Sequence, residues 1–418
     1  MAAGTAINDL LSPDRVLIGS SPTPAGYQAA NTLASVYAAW IPHSRIITTN
    51  VFSSELAKLV ANSMLAQRIS SINSIAAICE ATGADVDEVS TAAGADPRIG
   101  RRFLTAGIGF GGSCFKKDLL SLVYLSQSLD LPEVGAYWKS VVTMNEFARN
   151  RFTSRVIKCL NNTLRGKKVA IFGYSFKKNT NDTRESPAFE IIRSLLDEDP
   201  LEVSVFDPCC VPARIEDEIE GLLGCNGPVL KKNGGPVAVY ANVYQACLGC
   251  DAILVTTDAD EFSTSGIAAP KLTSEKELPR LAPSKQIERV EPTESELLAL
   301  HSCLARSLPA TRPVVGQPSC VSPDTLDRLQ TVPICMESCL DCNREKSLGQ
   351  AGVFGSGGTH RPTIAVDWAK ISYHMPTPRW VFDGRGVLNI EKMEELGFRV
   401  ETVGRQRGRG WSSQRNQH

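Results

Sequence analysis

No apolar run in the 418-residue sequence is long enough to span a bilayer, so no transmembrane segment is expected. Net charge is nearly absent too. At −1 it creates no global field that would draw in nucleic acid or an anionic membrane. The opening stretch, Met1–Asp9, lacks a basic region followed by an apolar core, so it does not read as a signal peptide. The sequons at Asn161 and Asn181 then carry little meaning. A cytoplasmic chain is expected, with its thirteen cysteines as reduced thiols.

Aromatic residues are missing altogether between Phe262 and Phe354. The stretch 263–361 is rich in Pro, Ser, Thr and Glu and has no sustained periodicity. It cannot bury enough apolar surface to order itself, so a disordered insertion is expected there. Translated non-coding sequence and a lineage-specific insertion both account for it. Cys335, Cys339 and Cys342 lack a fourth ligand at a usual spacing, so no metal site is expected. The Arg-rich end, 405–418, reads as a solvated tail rather than an RNA-binding segment.

What is present centres on Gly107–Asp118, which places four glycines in six residues and a cysteine two residues after the last of them. Such a backbone can approach a ligand closely. The apolar run Leu119, Leu120, Leu122, Val123 and Leu125 behind it predicts a helix, with Cys114 at its N-terminus. There the dipole and free N–H groups favour a thiolate. Lys116 and Lys117 add positive charge, and Asp118 shares a helical face with Cys114. A core cysteine after a turn is the plainer reading; the glycines, lysines and aspartate together favour a nucleophile. Gly107, Gly109 and Gly112 also spell G-x-G-x-x-G. No buried strand precedes them, so a dinucleotide fingerprint is rejected here.

The first fifty residues offer two short strands, Arg15–Gly19 and Ile46–Thr49, with a helix between them opening at Thr23. Alone they cannot close a core. From Ser53 a long helix is predicted, with an apolar stripe of Leu56, Leu59, Val60, Met64, Ile69, Ile72 and Ile75. Lys58 and Asn62 share one of its faces, as solvated residues or as a functional pair. Further helices are predicted at Asp85–Ala93, Leu119–Leu129 and Val134–Cys159. At Gly166 the pattern switches to βαβ: a strand at Lys168–Gly173, a helix through Phe189–Leu196 and a strand at Val203–Asp207. Ala252–Thr256 and Trp380–Asp383 read as further strands. Ligands bind at the C-terminal ends of such strands. Lys177 and Arg184, in the first such loop, suit a phosphate or serve solubility.

The motifs Ser53–Asn62, Ala66–Asn73, Gly109–Asp118, Phe176–Lys178, Asp182–Ser186 and Phe382–Arg385 together resemble the UDP-glucose/GDP-mannose dehydrogenase family. The resemblance covers 4–262 and about 363–404. It implies an α/β fold in pieces. These are a remnant of an N-terminal Rossmann domain (1–50), a central all-helical dimerisation domain (51–160) and a C-terminal Rossmann-like UDP-binding domain (161–404). It implies NAD as cofactor, UDP-glucose as substrate, UDP-glucuronate as product and a homo-oligomer built on dimers. Relatives acting on UDP-N-acetylmannosamine tend to carry His where Ser113 stands, which favours UDP-glucose over that substrate. GDP-mannose, and a non-catalytic UDP-sugar-binding subunit, are the alternatives.

By the same resemblance Cys114 captures an aldehyde as a thiohemiacetal and later carries a thioester. Lys58 and Asn62 stabilise developing negative charge, and Asp118 handles a water. The UDP-sugar is expected against Lys58, Asn62, Phe103, Leu104, Thr105, Gly107, Gly109, Phe110 and Gly111, with Phe176, Lys177 and Arg385 from the C-terminal part. Arg98 resembles an arginine that reaches a neighbouring subunit's site. Cys114, Phe115, Lys116, Lys117 and Arg184 are expected at the cofactor. The family's glycine-rich nucleotide domain is largely missing ahead of Gly4, and the glutamates of its Pro-Glu-Phe-Leu-x-Glu-Gly segment have no counterpart, the second falling on Ala3. Little activity is therefore expected of this chain alone.

Overall fold

The computed structural model describes residues 6–224, 227–264 and 365–405. The expected insertion, its three cysteines and the tail lie outside the described residues, apart from 263, 264 and 405.

The chain starts with a short helix α1 (Ala6–Leu11) and a strand β1 (Val16–Ser20). Helix α2 (Pro24–Ala38) comes next, where Thr23 accepts from the Gly26 N–H and Pro24 presets the first turn. Strand β2 (Ile46–Asn50) lies parallel to β1, with Val16 opposite Ile46 and Ser20 opposite Asn50.

Helix α3 (Val51–Thr82) is capped by Asn50, which accepts from Ser53 N at 2.8 Å, and stops at Gly83 in the left-handed region. Helices α4 (Val86–Gly94), α5 (Ser113–Ser128) and α6 (Pro132–Cys159) complete an all-helical middle section, as the periodicity predicts. The predicted stripe on α3 is corrected. Its inward face is Ser63, Ala66, Ser70, Ile72, Asn73, Ala76 and Cys79, while Leu56 and Met64 are exposed. Small residues let α3 lie close to α5 and α6, and Ser70 Oγ donates to Val141 O at 2.8 Å across that contact. Ala66, Leu119, Val141 and Val142 form the core between them.

The second half is a six-stranded parallel sheet. Strand β3 (Lys168–Phe172), helix α7 (Pro187–Leu196) and strand β4 (Glu202–Phe206) make the predicted βαβ opening. Helix α8 (Pro212–Leu223), strand β5 (Val237–Val239), helix α9 (Val243–Cys247) and strand β6 (Ala252–Val255) come next. After the undescribed stretch come helix α10 (Trp368–His374), strand β7 (Arg379–Asp383), helix α11 (Ile390–Glu395) and strand β8 (Phe398–Thr402). The order is β5-β4-β3-β6-β7-β8. The chain reverses direction across the sheet between β3 and β6, which makes their C-terminal ends the crevice for a ligand. Apolar clusters cover both faces, one around Ile171, Ile192 and Val205, the other around Phe172, Phe262 and Trp368.

At the far end of the sheet Glu202 is buried among cations. Burial alone would raise its carboxyl. Hydrogen bonds from Lys231, Ser204, Lys168 and Tyr240 outweigh that and hold it at about 2, below the ordinary 4.5. Because the folded value is depressed, the carboxylate's stabilisation is present in full above about pH 4.5 and disappears as pH falls towards 2. Glu202→Gln should therefore lower the thermal midpoint at pH 7 and lose most of that difference by pH 2.5. Melting both proteins across this range checks it; a constant gap would contradict the ion-pair account.

Candidate active site

Cys114 is the second residue of α5 and is exposed. Between α4 and α5 the described residues contain no strand. Four N–H groups of the glycine loop are taken by four separate parts of the fold. Gly107 N donates to Asn73 Oδ1 on α3 at 2.8 Å, and Ile108 N to Gly384 O at 3.0 Å. Phe110 N donates to Asn145 Oδ1 on α6 at 2.7 Å, and Gly112 N to Glu185 O at 3.3 Å. Gly112 has φ 84°, and a side chain there would also meet the Phe176 ring at 2.9 Å.

Lys58, Asn62 and Asp118 come together across α3 and α5. Lys58 Nζ donates to Asp118 Oδ2 at 2.5 Å, and Asn62 Nδ2 donates to the same oxygen at 2.6 Å. Asp118 is fully buried, and its Oδ1 has no partner among the described residues. Lys58 and Asn62 keep further N–H groups beyond those given to Asp118, and Asp118 keeps that one unpartnered oxygen.

The C-terminal sheet contributes from the crevice. Arg385 Nε donates to Thr256 O at 2.8 Å and Nη1 to Gly109 O at 2.9 Å, which ties β7's end to the glycine loop. Its Nη2 is shielded from solvent and unpartnered among the described residues. Burial pulls the guanidinium below its ordinary value, against the opposing charges of Asp258 and Asp383. Lys177 Nζ lies 5.4 Å from the centroid of the Phe176 ring. A part-buried cation with a spare donor, bonded at Gly109, and a ring with a second cation, packed at Gly111 and Gly112, suit an anionic nucleotide.

Residues 52–147 match the central domain of the UDP-glucose/GDP-mannose dehydrogenase family, and residues 170–278 match that family's UDP binding domain. The chain carries both of these family domains. UDP-glucose 6-dehydrogenase of Drosophila melanogaster is 49% identical over 262 residues, which are 63% of this chain and 54% of that protein. The Bos taurus enzyme of the same name is 50% identical over 265 residues, 63% of this chain and 52% of that protein. The chain spans about half the length of the curated relatives it matches. A UDP-glucose dehydrogenase structure from Pyrobaculum islandicum superposes with a TM-score of 0.52 at 31% identity, covering 62% of this chain and 54% of that one. A UDP-D-ManNAc dehydrogenase from Pyrococcus horikoshii shares the fold at TM-score 0.57 and 18% identity, over 97% of this chain and 63% of that one.

Other members of the expected family site are spread around this centre. Phe115 packs edge-on against Phe110, with ring centroids 5.6 Å apart. Lys116 pairs with Glu185 at 2.8 Å, and Arg184 with Asp182 at 2.7 Å, both near the surface. The hydrogen bond to Asp182 raises the Arg184 guanidinium, and Cys114 lies close enough to add to the effect. Arg98 is exposed and folded back onto Asp96. Phe103 is half-exposed with φ 64°, Leu104 packs beside Ile72 and Val86, and Thr105 is exposed.

Sequence reading missed the residues that hold the loops. Asp207 takes the Tyr174 and Ser175 N–H groups on one oxygen and those of Cys209 and Cys210 on the other. Asp383 does the same for Arg385, Gly386 and Leu388, although burial pushes its carboxyl up. A single acidic residue closing an apolar strand was the available signal for both.

Proposed function

We propose that the chain supplies the UDP-sugar and thiol half of the oxidation of UDP-glucose to UDP-glucuronate. The observation that carries this reading is the convergence of Cys114, the Lys58–Asn62–Asp118 cluster and Arg385 on one glycine loop. Lys177 and the spare Nη2 of Arg385 take the diphosphate and base end. The C6 carbon then faces the thiol. Once the alcohol has lost its first hydride to the acceptor and its hydroxyl proton to water, Cys114 sulfur, its own proton also passed to water, adds to the aldehyde carbon, and the carbonyl oxygen becomes the alkoxide of a thiohemiacetal. Lys58 and Asn62 donate to that oxygen. Loss of a second hydride leaves a thioester. Asp118 Oδ1 accepts a proton from the water that cleaves it, freeing the thiol and the acid.

NAD is the hydride acceptor in this reading. Lys116, Lys117 and Arg184, gathered at the start of α5, fit its anionic pyrophosphate, and Phe115 gives a ring beside them. Among the described residues the β1–α2 turn has no glycine-rich fingerprint, so β1 and α2 add no pyrophosphate cradle. Calorimetry with UDP-glucose, together with iodoacetamide labelling of Cys114 read by mass spectrometry, tests the proposal. UDP-glucose should bind and shield the thiol, and Cys114→Ser should bind without labelling. Absorbance at the NADH band then reads turnover. A thiol indifferent to UDP-glucose would refute the assignment; binding without turnover would favour a non-catalytic sugar-nucleotide subunit.

A homo-oligomer built on dimers is part of the proposal. Leu56, Met64 and Ile78 are exposed on one face of α3. No described helix is long and apolar enough to cross a membrane, so this apolar face calls for a protein partner. Met64→Glu with Ile78→Glu should halve the mass seen by light scattering. An unchanged mass would move the interface elsewhere. We place the reaction in the cytoplasm, where exposed thiols such as Cys114 and Cys209 stay reduced.

A further inference from the structure

Phe110 is held in an unusual way. One side chain, Asn145, serves both polar groups of its backbone. Asn145 Oδ1 accepts the Phe110 N–H at 2.7 Å, and Asn145 Nδ2 donates to Phe110 O at 3.1 Å. The pairing is the one a neighbouring strand would make, supplied here by a single amide. Asn145 lies on α6 and is buried. The contact is close at the preceding residue too: a Cβ placed on Gly109, at φ 97°, would lie 2.5 Å from Asn145 Oδ1.

The residues after Phe110 make the pin matter. Only Gly111, Gly112 and Ser113 separate it from Cys114. Two adjacent glycines have the widest backbone freedom of any pair. No side chain caps the helix that begins at Ser113. The place of the sulfur therefore depends on where the chain enters the two glycines, together with the long 3.3 Å bond from Gly112 N to Glu185 O. Lys58, Asn62 and Asp118 cannot set that entry point, because their hydrogen bonds join α3 to the second turn of α5.

We propose that Asn145 is a positioning residue for the nucleophile, fixing through Phe110 the point from which the glycines deliver Cys114. This rests on reading Cys114 as the reactive thiol. A merely structural asparagine would stabilise the packing of the loop on α6 and nothing more. Ser70 supplies the comparison, since its buried hydrogen bond to Val141 O anchors α6 to α3, away from the loop.

The experiment measures the iodoacetamide rate at Cys114, with and without UDP-glucose, in Asn145→Ala and Ser70→Ala. Temperatures are set so that both are equally far below their melting midpoints. Loss of two hydrogen bonds that hold one geometry should change the Asn145→Ala rate by about tenfold and abolish most UDP-glucose protection. Ser70→Ala should behave as the unmutated chain. Asn145→Leu keeps the volume and carries the comparison if the alanine variant fails to fold. Amide exchange in the unmutated protein reads the same pin: the Phe110 N–H should exchange at least about tenfold more slowly than in an unstructured peptide. Equal labelling in the two alanine variants, or an unprotected Phe110 amide, would overturn the proposal. Should Cys114 of the unmutated protein ignore iodoacetamide or UDP-glucose, the functional reading fails first, and that result is distinguishable from the other.

Discussion

Glu80→Ala should lower the unfolding free energy by about 3 kcal/mol, near the low end for removing one partner from a buried ion pair. Glu80 is nearly enclosed, its side chain 7% exposed. One oxygen accepts from Arg151 Nη2 at 2.5 Å and from Arg155 Nη2, and the other accepts the Gly404 N–H at 2.8 Å. Arg155 also donates to Thr402 O at the end of β8. A single carboxylate thus ties α3 to α6 and to the last strand. Alanine leaves Arg155 charged, 19% exposed and without its strongest acceptor. Arg151 is 39% exposed and returns to water, which is why the lower figure applies. Urea unfolding followed by circular dichroism gives the number. Glu80→Gln should fall between, because it keeps an acceptor for Gly404 and loses the charge. A change under about 1 kcal/mol would mean that the arginines find other partners.

How much of this is legible in the sequence depends on the kind of signal. Lys168–Phe172 and Ala252–Val255 are short apolar runs, buried along their whole length, and such runs announce strands of a covered parallel sheet. Val237–Val239 escapes such a reading because three residues are too few to show a pattern. The stripe on α3 misleads for a different reason. Of its aliphatic residues Leu56 and Met64 face outward and Ile72 inward, while Ser63, Ser70 and Asn73 face inward, so hydropathy alone does not pick out the buried side of the helix. At the site, Cys114, Lys58, Asn62 and Asp118 can be singled out by type and spacing. Asn73, Asn145 and Glu185 cannot. They act through backbone groups of a loop 34, 35 and about 73 residues away, and pairing at such range leaves no local trace.

On the proposed function, Gly111→Ala should weaken UDP-glucose binding by about five- to 150-fold, the effect of 1–3 kcal/mol of overpacking placed in the proposed cradle. A Cβ on Gly111 would lie 2.6 Å from Glu185 O, 2.6 Å from Pro187 Cδ and 3.0 Å from Phe176 Cβ. None of these is the end of a flexible side chain, so the glycine loop and the segment before α7 must part. That segment carries Phe176 and Lys177, and its Glu185 carbonyl holds Gly112 N. The main cores sit under the sheet and between α3, α5 and α6, so folding should survive while the cradle opens. Gly221→Ala on α8 is the matching control. Its Cβ meets nothing within 4 Å, and removing a glycine from a helix interior should stabilise by about 0.5–1 kcal/mol. Calorimetry with UDP-glucose, run beside thermal melts, separates the two. If Gly111→Ala binds as tightly as Gly221→Ala, the sugar nucleotide does not use the junction between the glycine loop and the Phe176 segment.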